Sequence, residues 1–273
     1  MPHLRLLATP AAHEWLARHR LAVSEQGPFL ELALPARTAE LDRELCAIGA
    51  DWAWLDQDIP PSWRALRLFV TDMDSTLIAI ECIDEIADLA GLKPEVARIT
   101  EAAMQGELDF REALNARVAL LAGIPVARLE ELYRERVRLN PGAARLVAAL
   151  KENGCHCVLV SGGFTFFTER LARELGFDEA HANVLETKDG LLTGRLVGPV
   201  IDAAAKAGIL RTAAERLGAA RCEILAAGDG ANDLAMLALA GTRLAWRPKP
   251  RILPHVNVVS MAQGLDAVLE LLP

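Results

Sequence analysis

Aromatic residues are scarce in this chain of 273 residues: they make up 5%, with a single Tyr. Aliphatic side chains must therefore fill any core. Basic residues are in the minority, 29 Lys and Arg against 37 Asp and Glu, for a formal net charge of −8. A general nucleic-acid binder needs a basic surface to meet phosphates, so this balance excludes that class. No apolar run reaches the roughly 18 residues of a membrane span, although the mean hydropathy is +0.20. Apolar patches within Met1–Val23 are interrupted by His13, Glu14, Arg18, His19 and Arg20, which speaks against an export signal.

Cysteines are few and unpatterned. Cys46, Cys82, Cys155, Cys157 and Cys222 contain no C-x-x-C pair, and an odd number cannot all pair within one chain. Cys155 and Cys157 flank His156 in the strand-like run C-H-C-V-L-V, which places both on one face. A metal site is the sharper reading of that pair. Buried reduced thiols are preferred, because no second ligand pair has finger-like spacing. The expected compartment is the cytoplasm.

What the chain has is a globular composition, 52% hydrophobic and 24% charged. At roughly 150 residues per domain, this length suggests one large or two modest domains. Residues 1–66 read as a small α/β module. Strands are predicted at Leu4–Leu7 and Phe29–Leu34, helices at Ala11–Arg20 and Thr38–Ile48, and a further alternating segment at Asp51–Asp56, with Pro60-Pro61 marking a boundary. Residues 67–273 then alternate strands with helices. Strands are predicted at Leu66–Thr71, at C-H-C-V-L-V ending on Ser161, at Ile224–Ala227, Leu244–Trp246 and Val256–Ser260, with a hairpin at Leu185–Val197 turning on Lys188-Asp189-Gly190. Ile83–Leu139 is mostly helical, divided near Gly91, Gly106 and Gly123. Helices also follow Gly142, run through Phe167–Leu175, and cover Ile201–Leu217. Such alternation implies a parallel sheet with both faces covered, whose ligand sits at the carboxyl ends of strands.

The chemically loaded residues fall at those ends: Asp72 and Asp74, then Ser161, then Asp229. Thr71-Asp72-Met73-Asp74-Ser75-Thr76 has three readings: a calcium loop, a helix start capped by Asp74, or a nucleophile with an acid/base partner. Thr76 and Leu77 stand where a calcium loop needs a ligand and a turn glycine. In Gly228-Asp229-Gly230-Ala231-Asn232-Asp233 the dinucleotide fingerprint fails, because Asp233 replaces its last glycine. Ser161-Gly162-Gly163 is no nucleophile elbow, since Leu159 replaces a required glycine. Neither a G-K-[ST] phosphate loop nor H-E-x-x-H is present.

In this order, D-M-D-S-T, S-G-G, a helical lysine and G-D-G-A-N-D resemble the haloacid dehalogenase-like hydrolases. The runs E-C-I-D-E-I-A (81–87), A-M-Q-G-E-L-D-F (103–110), R-V-A-L-L (117–121), S-G-G-F-T-F-F (161–167) and K-D-G-L-L-T-G (188–194) are similar to those of phosphoserine phosphatases within that family. The resemblance covers about residues 66–260 and implies a Rossmann-like parallel sheet core. A small helical cap would be inserted after the first motif, at about 81–139.

The resemblance further implies an Mg²⁺-dependent phosphomonoester hydrolase acting on O-phospho-L-serine, the last step of serine synthesis. Asp72 would be the nucleophile and Asp74 the general acid/base. Mg²⁺ would be held by Asp72, the Asp74 carbonyl and Asp229, a set of oxygens that suits this ion. Ser161, the Gly162 amide and Asn232 would hold phosphate, Lys206 would balance negative charge, and Asp233 would orient Lys206 or a metal-bound water. In the cap, Glu81 would meet the substrate ammonium, Arg117 its carboxylate, and Met104 and Phe110 would form an apolar lid. The same machinery acting on phosphohomoserine or phosphothreonine is the alternative. Arg247-Pro248-Lys249-Pro250 departs from the family pattern, which has a small residue before Lys-Pro. The module at 1–66 is compatible with a regulatory or dimerising unit, a structural or oligomerising role ranking above effector binding, and a homodimer stays open.

Overall fold

The computed structural model describes residues 1–273, the side chain of Met104 excepted. The amino-terminal part comprises β1 (His3–Leu7), α1 (Pro10–His19), β2 (Ser24–Gln26), β3 (Phe29–Ala33), α2 (Ala39–Ala47) and β4 (Trp52–Leu55). A helical turn at Trp63–Ala65 leads into β5 (Leu68–Thr71). Four helices follow, α3 (Cys82–Leu89), α4 (Lys93–Met104), α5 (Phe110–Ala119) and α6 (Val126–Glu135). The chain then returns through α7 (Ala143–Glu152), β6 (His156–Phe164), α8 (Thr165–Leu175), β7 (Glu179–Lys188), β8 (Leu191–Val197) and α9 (Ala203–Leu217). It ends with β9 (Ile224–Gly228), α10 (Leu234–Leu237), β10 (Thr242–Trp246), β11 (Val258–Ser260) and α11 (Ala267–Leu271).

The strands form one sheet in the order β2-β3-β1-β4-β11-β10-β9-β5-β6-β7-β8. From β11 to β7 all neighbours are parallel, and β5 lies between β9 and β6. All four residues of β5 are buried: Phe69 joins one hydrophobic cluster, Leu68 and Val70 the other. Side chains alternate across a strand, so a strand apolar at successive positions must be covered on both faces.

The amino-terminal strands continue this sheet. β4 pairs antiparallel with β11, Val258 opposite Ala53 and Val259 opposite Trp52. Both hydrophobic clusters cross the Pro60-Pro61 segment: Leu7 and Ala53 join Phe69 in one, and Leu4, Leu6, Trp15 and Trp52 join Leu68 and Val70 in the other. Asp51, 2% exposed, fastens the turn after β11. Its Oδ1 accepts from Ser260 Oγ (3.0 Å) and the Met261 and Ala262 amides, and Oδ2 accepts from Gln263 N (3.1 Å).

The elements differ from the sequence expectation in several places. β6 runs on to Phe164, so Ser161 lies within the strand and not just after it, and β5 and β11 each begin two residues later than expected. β2 is wholly exposed and polar, Ser24-Glu25-Gln26, so no apolar alternation marks it. β7 begins at Glu179, earlier than expected, because its first residues are only partly buried. α9 starts at Ala203 since Asp202 caps it, accepting from Ala205 N at 2.9 Å. The short helices α10 and α11 carry no periodic stretch long enough to read. The expected hairpin is present: Lys188 pairs with Leu191 across Asp189-Gly190, whose φ values of 52° and 77° are those of the favoured two-residue turn.

Helices α3 to α6 form a unit reached through a narrow neck in which Ile78 lies opposite Leu139. Buried Asn140 ties the two passages together, its Nδ2 donating to the carbonyls of Thr76 (2.7 Å) and Ile78 (3.1 Å). The breaks between these helices fall at Gly91, Gly106 and Gly123, where the sequence predicts them.

Candidate active site

Parallel pairing brings the loaded strand ends level. Thr71 is opposite Leu159 on β6 and Ala227 on β9, so the residues just beyond these three share one edge. Asp72 continues the pairing by donating its amide to the Ala227 carbonyl at 3.0 Å. Its Oδ1 accepts from the Met73 amide (2.8 Å) and lies 2.7 Å from Lys206 Nζ. Oδ2 faces only the Asn232 amide, at 3.5 Å. Burial, with the nearby Asp233 charge, pushes the Asp72 carboxyl upward, and Lys206 opposes this.

Lys206 lies on α9 and is 1% exposed. An alanine-rich helix would ordinarily put such a lysine in solvent, but this one spans Asp72 and Asp233 (2.8 Å). Burial lowers the pKa of an ammonium, and the two carboxylates outweigh it and hold Lys206 above its ordinary value. Asp233 is fully committed: Oδ1 receives Lys206, and Oδ2 receives the amides of Asp229 (3.2 Å) and Gly230 (3.3 Å).

Asp74 follows on a tight turn, Met73–Leu77, in which Ser75 adopts φ 58°. Asp74 Oδ1 accepts from Cys82 N (3.1 Å), and Oδ2 lies 3.5 Å from Ser161 Oγ. Burial and then the Glu81 charge raise the Asp74 carboxyl to about 7, against the hydrogen bonds from Cys82 and the charge of Lys206. The same turn places Glu81, whose Oε1 accepts from Ser75 Oγ at 2.8 Å. Burial also raises Glu81, and the Ser75 hydrogen bond works against it.

Ser161 is buried on β6 and accepts from the Gly163 amide at 2.8 Å. The following carbonyl, Gly162, receives Asn183 Nδ2 (2.8 Å), and Asn183 Oδ1 receives Ile201 N (2.8 Å), which pins this loop to the chain before α9. A cavity of about 180 Å³ opens at this edge, bounded by Asp72, Asp74, Ser161, Gly162, Asp229 and Asn232 below and by Glu81, Phe110 and Arg117 of the helical unit above. Phe110, 41% exposed, lies over Gly162. Among the described residues Arg117 donates only to its own helix, to the Ala113 carbonyl, and the charges of Asp84 and Glu81 act on it without a direct ion pair. Burial pulls its guanidinium downward. A wider depression of about 500 Å³ between Asp84, Lys93 and Glu101 contains none of these groups.

The geometry thus gathers nine of the expected residues on one cavity and sets Lys206 and Asp233 behind Asp72. Met104, expected in the lid, lies outside the described residues. Sequence reasoning missed Lys249, which lines the cavity with Nζ 2.7 Å from Asp229 Oδ2. The run R-P-K-P was visible, but nothing in its spacing tied it to Asp229. It also missed Ser75, which is only partly buried, and the buried Asn140 and Asn183, none of which any local pattern marks. Carboxylate oxygens of Asp72, Asp229 and Asp233 lie within 4.8 Å of one another, an all-oxygen set that fits a hard divalent cation. Because Asp233 is already saturated, Asp72 and Asp229 are the carboxylates with oxygens to spare.

Comparison with known proteins identifies the family. A family model for haloacid dehalogenase-like hydrolases matches residues 69–238. A phosphoserine phosphatase from Polaromonas sp. is 54% identical over 210 residues, 75% of this chain and 89% of the relative. Among solved structures, a hydrolase of the same family from Salmonella enterica serovar Typhi has a TM-score of 0.85 at 31% identity, covering 99% of this chain and 98% of its own. A substrate-bound phosphoserine phosphatase has a TM-score of 0.70 at 36% identity, covering 76% of this chain and 99% of its own. This chain belongs to the haloacid dehalogenase-like hydrolases.

Proposed function

We propose that this chain is a phosphoserine phosphatase, hydrolysing O-phospho-L-serine to L-serine and phosphate with Mg²⁺ as its cation. The observation that carries the reading is the division of labour between two carboxyls on one cavity. Asp72 has one oxygen clamped by Lys206 and the Met73 amide and the other nearly free, while Asp74 is held protonatable near neutrality.

Asp72 Oδ2 attacks phosphorus in line with the serine oxygen, forming an aspartyl-phosphate as the phosphorus–oxygen ester bond breaks. The Asp74 proton goes to the departing alkoxide. Asp74, now ionised, takes a proton from the water that attacks phosphorus in the second step, and Asp72 is released. Lys206 favours the ionised form of Asp72 against burial and the Asp233 charge, and faces the charge that builds on the phosphoryl group. Ser161 Oγ, the Gly162 amide and Asn232 Nδ2 hold phosphate oxygens. When bound by Asp72, Asp229 and the Asp74 carbonyl, Mg²⁺ supplies positive charge to the phosphate.

Specificity comes from the helical cap at about 81–139. Phosphoserine carries a carboxylate and an ammonium beside its phosphate. Arg117, a half-buried cation with no direct carboxylate partner among the described residues, suits the first, and Glu81 suits the second. Phe110 covers the phosphate loop and excludes water. Residues 1–66 serve a structural role, supported by the β4–β11 pairing and the Asp51 contacts. No helix among the described residues is long and apolar enough to cross a membrane. The unpaired cysteines support a reducing, cytoplasmic setting.

The test is phosphate release from a panel of phosphorylated amino acids and sugars with and without Mg²⁺. L-phosphoserine is expected among the best substrates, with activity lost on chelation. A preference for sugar phosphates, or turnover indifferent to chelation, would overturn the reading.

A further inference from the structure

The charges around Asp72 do not balance through Lys206 alone. Three buried carboxylates, Asp72, Asp229 and Asp233, meet within 4.8 Å, and Lys206 pairs with Asp72 and Asp233 only. Asp229, whose side chain is 6% exposed, has a different cation: Lys249 Nζ at 2.7 Å from Oδ2. A carboxylate left alone at that burial would be strongly disfavoured.

The two ammonium groups are built differently. Lys206 is sealed inside α9 and has two partners. Lys249 enters from solvent, its side chain 59% exposed, on the loop after β10. That loop is fixed at its backbone: the Lys249 amide donates to the Asp229 carbonyl (2.9 Å), and Ile252 N donates to the Lys249 carbonyl (3.1 Å). On the far side Arg37 of the amino-terminal part donates to the Leu253 carbonyl at 2.9 Å, while its guanidinium is paired with buried Asp42. The main chain at Lys249 is therefore held, while the flexible four-carbon stem leaves Nζ able to swing outward.

We propose that Lys249 is a stand-in cation, holding Asp229 in the metal-free protein and releasing it when a divalent ion binds, so that Lys249 sets the affinity for the ion. This rests on the reading that Asp229 is a ligand of the functional metal. The exchange breaks one ion pair and forms one carboxylate–metal contact, with no covalent change. Lys206 cannot play this part, because its ammonium is buried and held by Asp233 as well, with no path outward into solvent.

The experiment is calorimetric titration of chelator-stripped protein with MgCl₂, without substrate, in 0.5 M KCl, for wild type, Lys249→Met and Lys249→Arg. High salt screens long-range repulsion between lysine and metal but leaves a contact competitor in place. Lys249→Met is expected to bind Mg²⁺ roughly fivefold more tightly, the order of one half-exposed ion pair, and Lys249→Arg to stay near wild type. Metal-free Lys249→Met should also melt below metal-free wild type, with the gap closing at saturating Mg²⁺. Unchanged or weaker Mg²⁺ binding by Lys249→Met would overturn the proposal. Wild-type protein that binds no Mg²⁺ would instead overturn the metal assignment, and the stand-in role with it.

Discussion

Gly163 lies so close to Asp74 that a β-carbon on it would sit 2.5 Å from the Asp74 Oδ2, and 3.0 Å from Ser161 Oγ. The second glycine of the S-G-G run thus keeps space for the acid rather than supplying an unusual backbone angle. Gly163→Ala should push the carboxyl out of line with the departing oxygen. We expect kcat for L-phosphoserine to fall by roughly a hundredfold, the effect of misplacing a reacting group by about 1 Å, with KM far less altered. A steady-state comparison with kcat within twofold of wild type would show that the acid has room to move.

The position of Asp74 in pH follows from its surroundings. With its carboxyl raised to about 7 by burial and Glu81, the free enzyme holds the proton below that value and loses it above. Phosphoryl transfer needs the protonated form, so kcat/KM should decline with rising pH through about 7, reporting the free enzyme. Asp74→Asn removes the titrating group and should lower phosphoserine turnover by roughly 10² to 10⁴. An aryl phosphate, whose phenolate leaves without a proton, should lose much less in the burst of phenol release. Equal losses on both esters would remove Asp74 from the role of acid.

The neck of the cap gives a third expectation. Asn140→Ala removes both hydrogen bonds that join the two passages and leaves the carbonyls of Thr76 and Ile78 without that donor. Each unsatisfied buried group costs about 1–3 kcal/mol. Because the bonds sit at the joint, amide exchange should quicken in α3 to α6 more than in the central sheet, and KM for phosphoserine should rise. Uniform acceleration across the molecule would mean that Asn140 supports the fold as a whole.

What could be read in the sequence follows a physical division. Asp72 and Asp229 were legible because each directly follows an apolar strand, and Ser161 because it closes the apolar run of β6; adjacent parallel strands bring such positions to one edge. Lys206 was legible only by its order among the motifs, since its helix is otherwise one that would leave a lysine in water. Lys249 and Asn140 depend on how distant loops meet, and no local periodicity records that. The pairing of β4 with β11 was hidden for the same reason: W-A-W-L announces a strand but not its neighbour. Asp51 is an isolated acid between Ala50 and Trp52, and its importance appears only when residues 260–263 fold over it.

That contact makes the last prediction. Asp51 receives one hydroxyl and three amides from the turn after β11, and it is buried. Asp51→Ala leaves those donors unpaired and should destabilise the protein by about 3 kcal/mol. Asp51→Asn keeps one acceptor oxygen but turns an NH₂ toward a donor, so it should recover only part of the loss. Denaturant unfolding followed at the tryptophans checks this, since Trp52 and Trp54 flank the β4–β11 seam. If residues 1–66 are an integral edge of the sheet, tryptophan signal and phosphatase activity should be lost in one transition that moves to lower denaturant in the variant. Loss of the tryptophan signal in a separate, earlier transition, with activity retained, would instead make that part an independent unit.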